Sequence, residues 1–190
     1  MSSELSLGDG AALIEIARRA ISSAVIENSV PDFPSGPPAF RVSRGAFVSL
    51  YCSGRLRGCV GQIENPGPLA EVVARAAVSA ALHDPRFAPV SIEEVPTLGI
   101  ELSVLSPLEP IAAEMAIVGQ HGLMVVRERS KGLLLPQVAT ERRWSRDRFL
   151  EETCAKAGLP RNAWRDPETR VFAFTAEVFS DTGIRPVPNP

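Results

Sequence analysis

Phe47-Val48-Ser49-Leu50-Tyr51-Cys52-Ser53-Gly54-Arg55-Leu56-Arg57-Gly58-Cys59-Val60-Gly61-Gln62-Ile63 holds two strand-like runs around a turn signal, and its reading decides the fold. Phe47–Tyr51 and Leu56–Ile63 form an antiparallel hairpin that turns at Ser53 and Gly54. A strand repeats every two residues, so Arg57, Cys59 and Gly61 face one way while Leu56, Gly58, Val60 and Gln62 face the other. Arg57 and Cys59 are thus expected as neighbours. Glycine inside a strand forfeits packing, so Gly58 and Gly61 indicate a bulge or a place where another chain or a ligand approaches the backbone closely. Two readings of Cys59 stay open, a reactive or ligand-contacting thiol and an inert core thiol. In this register Cys52 lies beside the turn and Cys59 roughly 10 Å or more away, beyond the reach of a disulfide.

Working outward, Leu69 to His83 repeats alanine and valine at helical spacing, which predicts a helix closely packed on a sheet and ended by Asp84-Pro85. Upstream, Ala12, Leu13, Ile16, Ala17, Ala20, Ile21, Ala24 and Val25 predict an amphipathic helix with Asp9 as its cap. Four prolines between Ser29 and Ala39 make that stretch an ordered crossing loop. Downstream, Ser91-Ile92-Glu93-Glu94 has capping-box spacing and predicts a short helical turn stopped at Pro96. Leu98, Ile100, Leu102 and Val104 predict a half-buried strand with Glu101 off its core face. Leu123–Arg127 and Leu133–Leu135 flank a second hairpin turn. Ser145 caps a helix that buries Phe149, Leu150, Thr153 and Cys154 and ends at Gly158, and Val171–Phe179 is a final strand. The irregular alternation with hairpins predicts α+β, a mixed or antiparallel sheet flanked by helices.

Composition narrows the function classes. The 190 residues suffice for one large domain or two small lobes without staples. A net charge of −2 gives no global footprint for nucleic acid or an anionic membrane. No apolar run reaches the roughly 20 residues of a membrane span, and the N-terminus lacks a signal-peptide pattern, so a cytoplasmic protein is expected. Cys52, Cys59 and Cys154 form no C-x-x-C pair, and neither His83 nor His121 stands at ligand spacing from a cysteine, so no metal and no cofactor is expected. Walker, G-x-S-x-G, H-E-x-x-H and dinucleotide signatures are missing.

Four ordered segments carry a resemblance: Leu56 to Gly61, Asp84 to Phe87 (DPRF), Ile100 to Pro107, and Gly132 to Val138 followed by Phe149 to Trp164. In these the chain resembles the AMMECR-one domain family, the first component of the AmmeMemoRadiSam gene set. The resemblance implies a two-lobed α+β domain over residues 10–180, between a flexible segment 1–9 and a tail 181–190. It also implies a functional link to a Memo-like protein and a radical-SAM enzyme, and an enzymatic role resting on the Arg-Gly-Cys segment.

The chemistry these residues offer is nucleophilic. Cysteine reacts as thiolate, and a cation such as Arg57 favours that form or holds an anionic substrate group bidentately. Candidate catalytic residues are Cys59, His121 in its His-Gly pair before a strand, and Glu101; candidate substrate-binding residues are Arg57, Gly58, Gly61 and Gln137, which matches the family's Leu-Pro-Gln-Val segment. Each has a structural alternative. Glu101 is equally placed to pair with Arg57, Gln137 to satisfy backbone, His121 to hold its loop, and Arg86 to bind an anion or clamp its loop, while His83 complements a helix dipole. The mixed run Arg142–Arg148 reads as a solvated helix start in preference to a nucleic-acid surface. Two functions follow: an enzyme acting on a small anionic substrate or a modified macromolecule, or a non-catalytic protein- or nucleic-acid-binding module.

Overall fold

Ser6, rather than Asp9, opens the first helix. Its hydroxyl accepts the Asp9 amide at 3.1 Å while the Asp9 carboxylate accepts the Ser6 amide at 2.9 Å, a reciprocal capping box that moves the start of α1 (Leu7–Ile26) forward. The computed structural model describes residues 5–29, 37–63 and 67–181, so most of the proline-rich stretch and Glu64 to Pro66 lie outside the described residues. What is described divides into two units, one running to Leu105 and taking up the chain again from Glu177, the other Ser106–Ala176.

In the first unit β1 (Ala46–Cys52) and β2 (Arg55–Gln62) form the expected hairpin. Ser53 (φ 50°) and Gly54 (φ 75°) both take the left-handed region that a two-residue hairpin turn requires. With β3 (Gly99–Leu105) and β8 (Ala176–Ser180) they make a sheet ordered β2-β1-β3-β8. One face is apolar: Val48, Leu50, Ile100, Leu102 and Val104 are buried there. The helix α2 (Leu69–Leu82) lies over β1 and β2, and α1 packs on α2 and β3. The alanines of α2 permit the close approach, and β2 meets it with Gly58, where an added Cβ would collide with the Ala80 carbonyl oxygen. The other side of the sheet carries Ser49, Cys59 and Glu101.

The second unit has a sheet of its own. Its strands are β4 (Glu109–Ile111), β5 (Gly122–Arg127), β6 (Ser130–Leu134) and β7 (Arg170–Phe174), ordered β4-β7-β5-β6 with antiparallel pairing throughout. Two helices follow β6, α3 (Pro136–Glu141) and α4 (Arg146–Lys156), the latter capped by the Ser145 hydroxyl on the Arg148 amide. Phe149, Leu150 and Cys154 of α4 are buried against Leu123, Val125 and Val171 in a separate core.

The α+β class stands as expected, but the strands form two four-stranded sheets. The predicted strand Val171–Phe179 is broken at Thr175, whose amide and carbonyl bond to Ser106, so that β7 and β8 enter different sheets. Val171–Phe179 is apolar at most positions on both sides of Thr175, so the sequence reads as one strand. Leu135-Pro136-Gln137 was expected at a strand end; Pro136 instead starts α3, since proline is pre-set for a first helical turn. Pro96 likewise sits inside the 3-10 turn Val95–Thr97 it was expected to stop. Among the described residues no helix is long and apolar enough to cross a membrane.

Gly58→Ala should cost about 1–3 kcal/mol, because the obstructing atom is helix backbone rather than a mobile side chain. Urea unfolding would show this as a lower midpoint at unchanged m-value; a midpoint equal to wild type would contradict the packing described.

Candidate functional site

The site is built on an edge strand. β2 is the outermost strand of its sheet, and its register with β1 slips between Leu50, which faces Gly58, and Tyr51, which faces Leu56. Arg57 is the extra residue of this bulge. A bulge re-aims the side chain it carries, so Arg57 does not join Cys59 as strand alternation predicts. Its guanidinium instead grips Glu94, Nε to Oε1 at 2.7 Å and Nη2 to Oε2 at 2.9 Å, and donates to the carbonyls of Ala88 (2.7 Å) and Pro89 (3.1 Å). The Glu94 carboxylate raises the pKa of Arg57, and Arg57, followed by the Ser91 amide, holds Glu94 below the usual carboxylate range. Arg57 is a clamp on the loop after α2.

Cys59 is held by a second clamp. Its amide donates to Asp84 Oδ2 at 2.9 Å, and its carbonyl accepts from Arg86 Nη2 at 3.2 Å. Asp84 and Arg86 also bind each other, Nη2 to Oδ2 at 2.6 Å and Nε to Oδ1 at 2.9 Å. Together the two side chains offer β2 the acceptor and donor that a neighbouring strand would. Asp84 is buried, with 3% of its side chain exposed, and the Arg86 guanidinium, aided by the amides of Cys59 and Arg86, keeps its carboxyl well below the ordinary range.

Because the amide and carbonyl of Cys59 point away from β1, Cys59 and Ser49 face each other as a pair that exchanges no backbone hydrogen bonds. In such pairs the backbones, and hence the side chains, come closest. Ser49 Oγ donates to Cys59 Sγ at 3.2 Å. Across the next ladder Ser49 faces Glu101, so thiol, hydroxyl and carboxylate line up over three strands on the side away from the helices. The Arg86 guanidinium also meets the Cys59 side chain. Its Nη1 is spent neither on Asp84 nor on the Cys59 carbonyl, and 56% of the side chain is exposed. The Glu101 end of the row opens into a cleft of about 310 Å³ that Tyr51, Ser53, Gly99 and Asp181 also line. All three cysteines are unpaired; Cys59 and Cys52 are half-buried, and burial pushes the thiol of Cys154 up.

The structure brings Cys59 and Glu101 onto one face of the sheet and turns Arg57 elsewhere. Gly58 is filled by the Ala80 carbonyl, and Gly61 by the Ala46 carbonyl and the Phe47 side chain, so the close approach expected at both comes from the unit's own packing. His121 and Gln137 stand in the second unit. His121 Nδ1 accepts the Ile117 amide at 3.3 Å, and Gln137 is the second residue of α3. His83 is the C-cap of α2. Ser49 and Asp84 were missed as site residues; Asp84 had a sequence signal in Asp84-Pro85-Arg86-Phe87, whereas Ser49 becomes visible only with the register. Among the described residues no group of three His, Cys, Asp or Glu side chains is placed to hold a metal ion.

An α+β chain whose Leu-Arg-Gly-Cys strand is locked by an Asp-Pro-Arg-Phe turn is the class that fold and site define. Residues 14–179 match the AMMECR1 family model, and the chain belongs to that family. It is 45% identical over 187 residues to a protein of Methanothermobacter thermautotrophicus, covering 94% of this chain and 97% of that one. Protein TK0174 of Thermococcus kodakarensis is 40% identical over 184 residues, with 90% of each chain covered. The crystal structure of the uncharacterized protein PH0010 from Pyrococcus horikoshii superposes with a TM-score of 0.85 at 40% identity, covering 92% of both chains.

The Asp84 clamp predicts a pH dependence. A carboxyl whose pKa is depressed by folding contributes stability that is complete above its unfolded value of about 3.9 and is lost as pH falls through the folded one. Asp84→Asn should cost about 1–3 kcal/mol at neutral pH and flatten the decline in stability below about pH 4. Urea unfolding at a series of pH values measures both; an unchanged acid limb would remove Asp84 as its source.

Proposed function

We propose that the chain is an enzyme whose nucleophile is Cys59 and whose substrate is a small molecule, or a group on a macromolecule, that carries an anion. The carrying observation is the placement of the Cys59 sulfur between the Ser49 hydroxyl, which donates to it at 3.2 Å, and an exposed guanidinium, that of Arg86. In such an enzyme the sulfur is the attacking atom, and the hydroxyl and the guanidinium are placed to orient it and the group it attacks. The role first given to Arg57 passes to Arg86, because all the bonds of Arg57 go to the protein while Nη1 of Arg86 remains to meet a carboxylate or phosphate.

The step that fits is group transfer. The sulfur forms a bond to an electrophilic carbon as the bond from that carbon to its leaving group breaks; the Ser49 hydroxyl, which otherwise donates to the sulfur, turns to accept the thiol proton as its own passes to Glu101, and Glu101 gives that proton to the leaving group. Water then cleaves the sulfur–carbon bond and restores the thiol. Glu101 serves as base here because it shares the row with Ser49, whereas His121 Nδ1 is taken by the Ile117 amide.

Alkylation tests the reading. Under limiting iodoacetamide, Cys59 should label first and Cys154, in the core, last, as followed by peptide mass spectrometry. Ser49→Ala and Arg86→Gln should each slow Cys59 by about tenfold while leaving Cys52 unchanged. Slow labelling of Cys59 in the folded protein, unaltered by either substitution, would leave the motif as an edge clamp and favour the binding-module reading.

A further inference from the structure

The second unit carries a cleft of about 550 Å³ that takes no part in the thiol site. Its volume lies within the roughly 300–1,000 Å³ typical of small-molecule sites. Ile111, Ala113 and Val171 give it an apolar wall, and the Trp164 indole, Arg165 and Arg170 stand around it. The guanidinium of Arg165 lies 4.1 Å from the center of the Trp164 ring and, among the described residues, makes only a long ion-pair contact, 3.5 Å, to exposed Asp147. Arg170 rests over Phe172 and has no ion pair among the described residues. Of the acids in the lining, Asp166 is neutralised by Arg127 at 3.0 Å, which leaves the exposed carboxylate of Glu114.

Hydrogen-bond accounting points to the same place. Among the described residues three buried side-chain polar atoms lack a partner, and two of them, Trp164 Nε1 and Thr169 Oγ1, belong to residues of this cleft. Thr169 is 92% buried, leaving 8% exposed, and an indole nitrogen can only donate, so what it lacks is an acceptor. An apolar wall, an aromatic plane, an unpaired guanidinium and a buried donor wanting an acceptor together specify a ligand.

From this we propose that the cleft binds a small organic monoanion, a carboxylate on a flat apolar body. The body lies on the apolar wall beside the indole, and the carboxylate is held by Arg170 and Arg165 and supplies the missing acceptor to Trp164. Glu114 at the rim disfavours a doubly charged head, so a carboxylate binds in preference to a phosphate monoester of the same body.

The indole N–H of Trp164 reports directly on the proposal. In a proton–nitrogen correlation spectrum of the full chain, the two tryptophans give one indole signal each, assigned with Trp144→Phe. Titration with 2-naphthoate should move the Trp164 signal saturably and leave that of Trp144 in place. The neutral amide 2-naphthamide, 2-naphthyl phosphate, and naphthoate added to Arg170→Gln should each bind at least about tenfold more weakly. Arg86→Gln should bind naphthoate as wild type does, and Arg170→Gln should leave alkylation of Cys59 unchanged, so the two sites fail or stand separately. No movement of the Trp164 signal at millimolar naphthoate, equal binding of acid and amide, or a Trp164 N–H that shows exchange contact with bound water and ignores naphthoate would each overturn the proposal.

Discussion

A sheet edge is a row of amides and carbonyls that must be paired or left to water, and the first unit is organised around how β2 meets that demand. The amide and carbonyl of Cys59 face outward, and Asp84 and Arg86 answer them with one acceptor and one donor. A carboxylate and a guanidinium can do this because their mutual ion pair fixes both side chains in the plane where a strand backbone would lie. Edge strands invite pairing with other chains, and here the edge is closed by side chains instead. The position of those side chains depends on α2. The helix must descend far enough for its last turn to deliver Asp84 beside β2, and that descent is possible only because Gly58 leaves room for the Ala80 carbonyl. The Leu-Arg-Gly-Cys strand and the Asp-Pro-Arg-Phe turn are therefore two halves of one device.

The two arginines of that device differ in what they have left to give. Arg57 is fully engaged, by a bidentate grip on Glu94 and two carbonyls, and 17% of its side chain is exposed. A guanidinium suits this task since its planar fork matches a carboxylate edge while a third nitrogen reaches elsewhere; an ammonium would satisfy one direction at a time. Arg86 is engaged on one side and open on the other. Strand alternation predicted Arg57 beside Cys59; the bulge removes it, and Arg86, which clamps the Cys59 carbonyl, comes from a different segment.

Much of the fold was legible in the chain. Hairpins, helix faces and the Ser145 cap follow from periodicity and local polar chemistry, which act within a few residues. Two of the misread features involve partners far apart in sequence. The strand break at Thr175 is set by Ser106, 69 residues away, and the bulge at Arg57 by Glu94, 37 residues away. For the site, Cys59 and Glu101 were placed on suitable strands, yet the bulge put Arg57 out of their company, and Ser49, an ordinary strand serine by sequence, gains its meaning only from lying opposite Cys59. The orphaned atoms of Trp164 and Thr169 leave no trace in sequence at all, since a missing hydrogen bond is a property of everything packed around it.

The register also explains how the strand leaves the Cys59 side chain half-buried rather than enclosed. A cysteine whose amide and carbonyl are tied into a ladder inside the sheet would have its side chain crowded by strands on both sides. At an edge, Cys59 has β1 on one side only, and on the other the Asp84–Arg86 clamp takes its backbone. The pairing with Ser49 then falls in the narrow kind of pair, which brings a hydroxyl to 3.2 Å without bending the strand. Shifting the register by one residue would turn Cys59 into the helix layer and Gly58 out of it, losing both the hydroxyl partner and the passage for α2. Packing and chemistry thus constrain the same register.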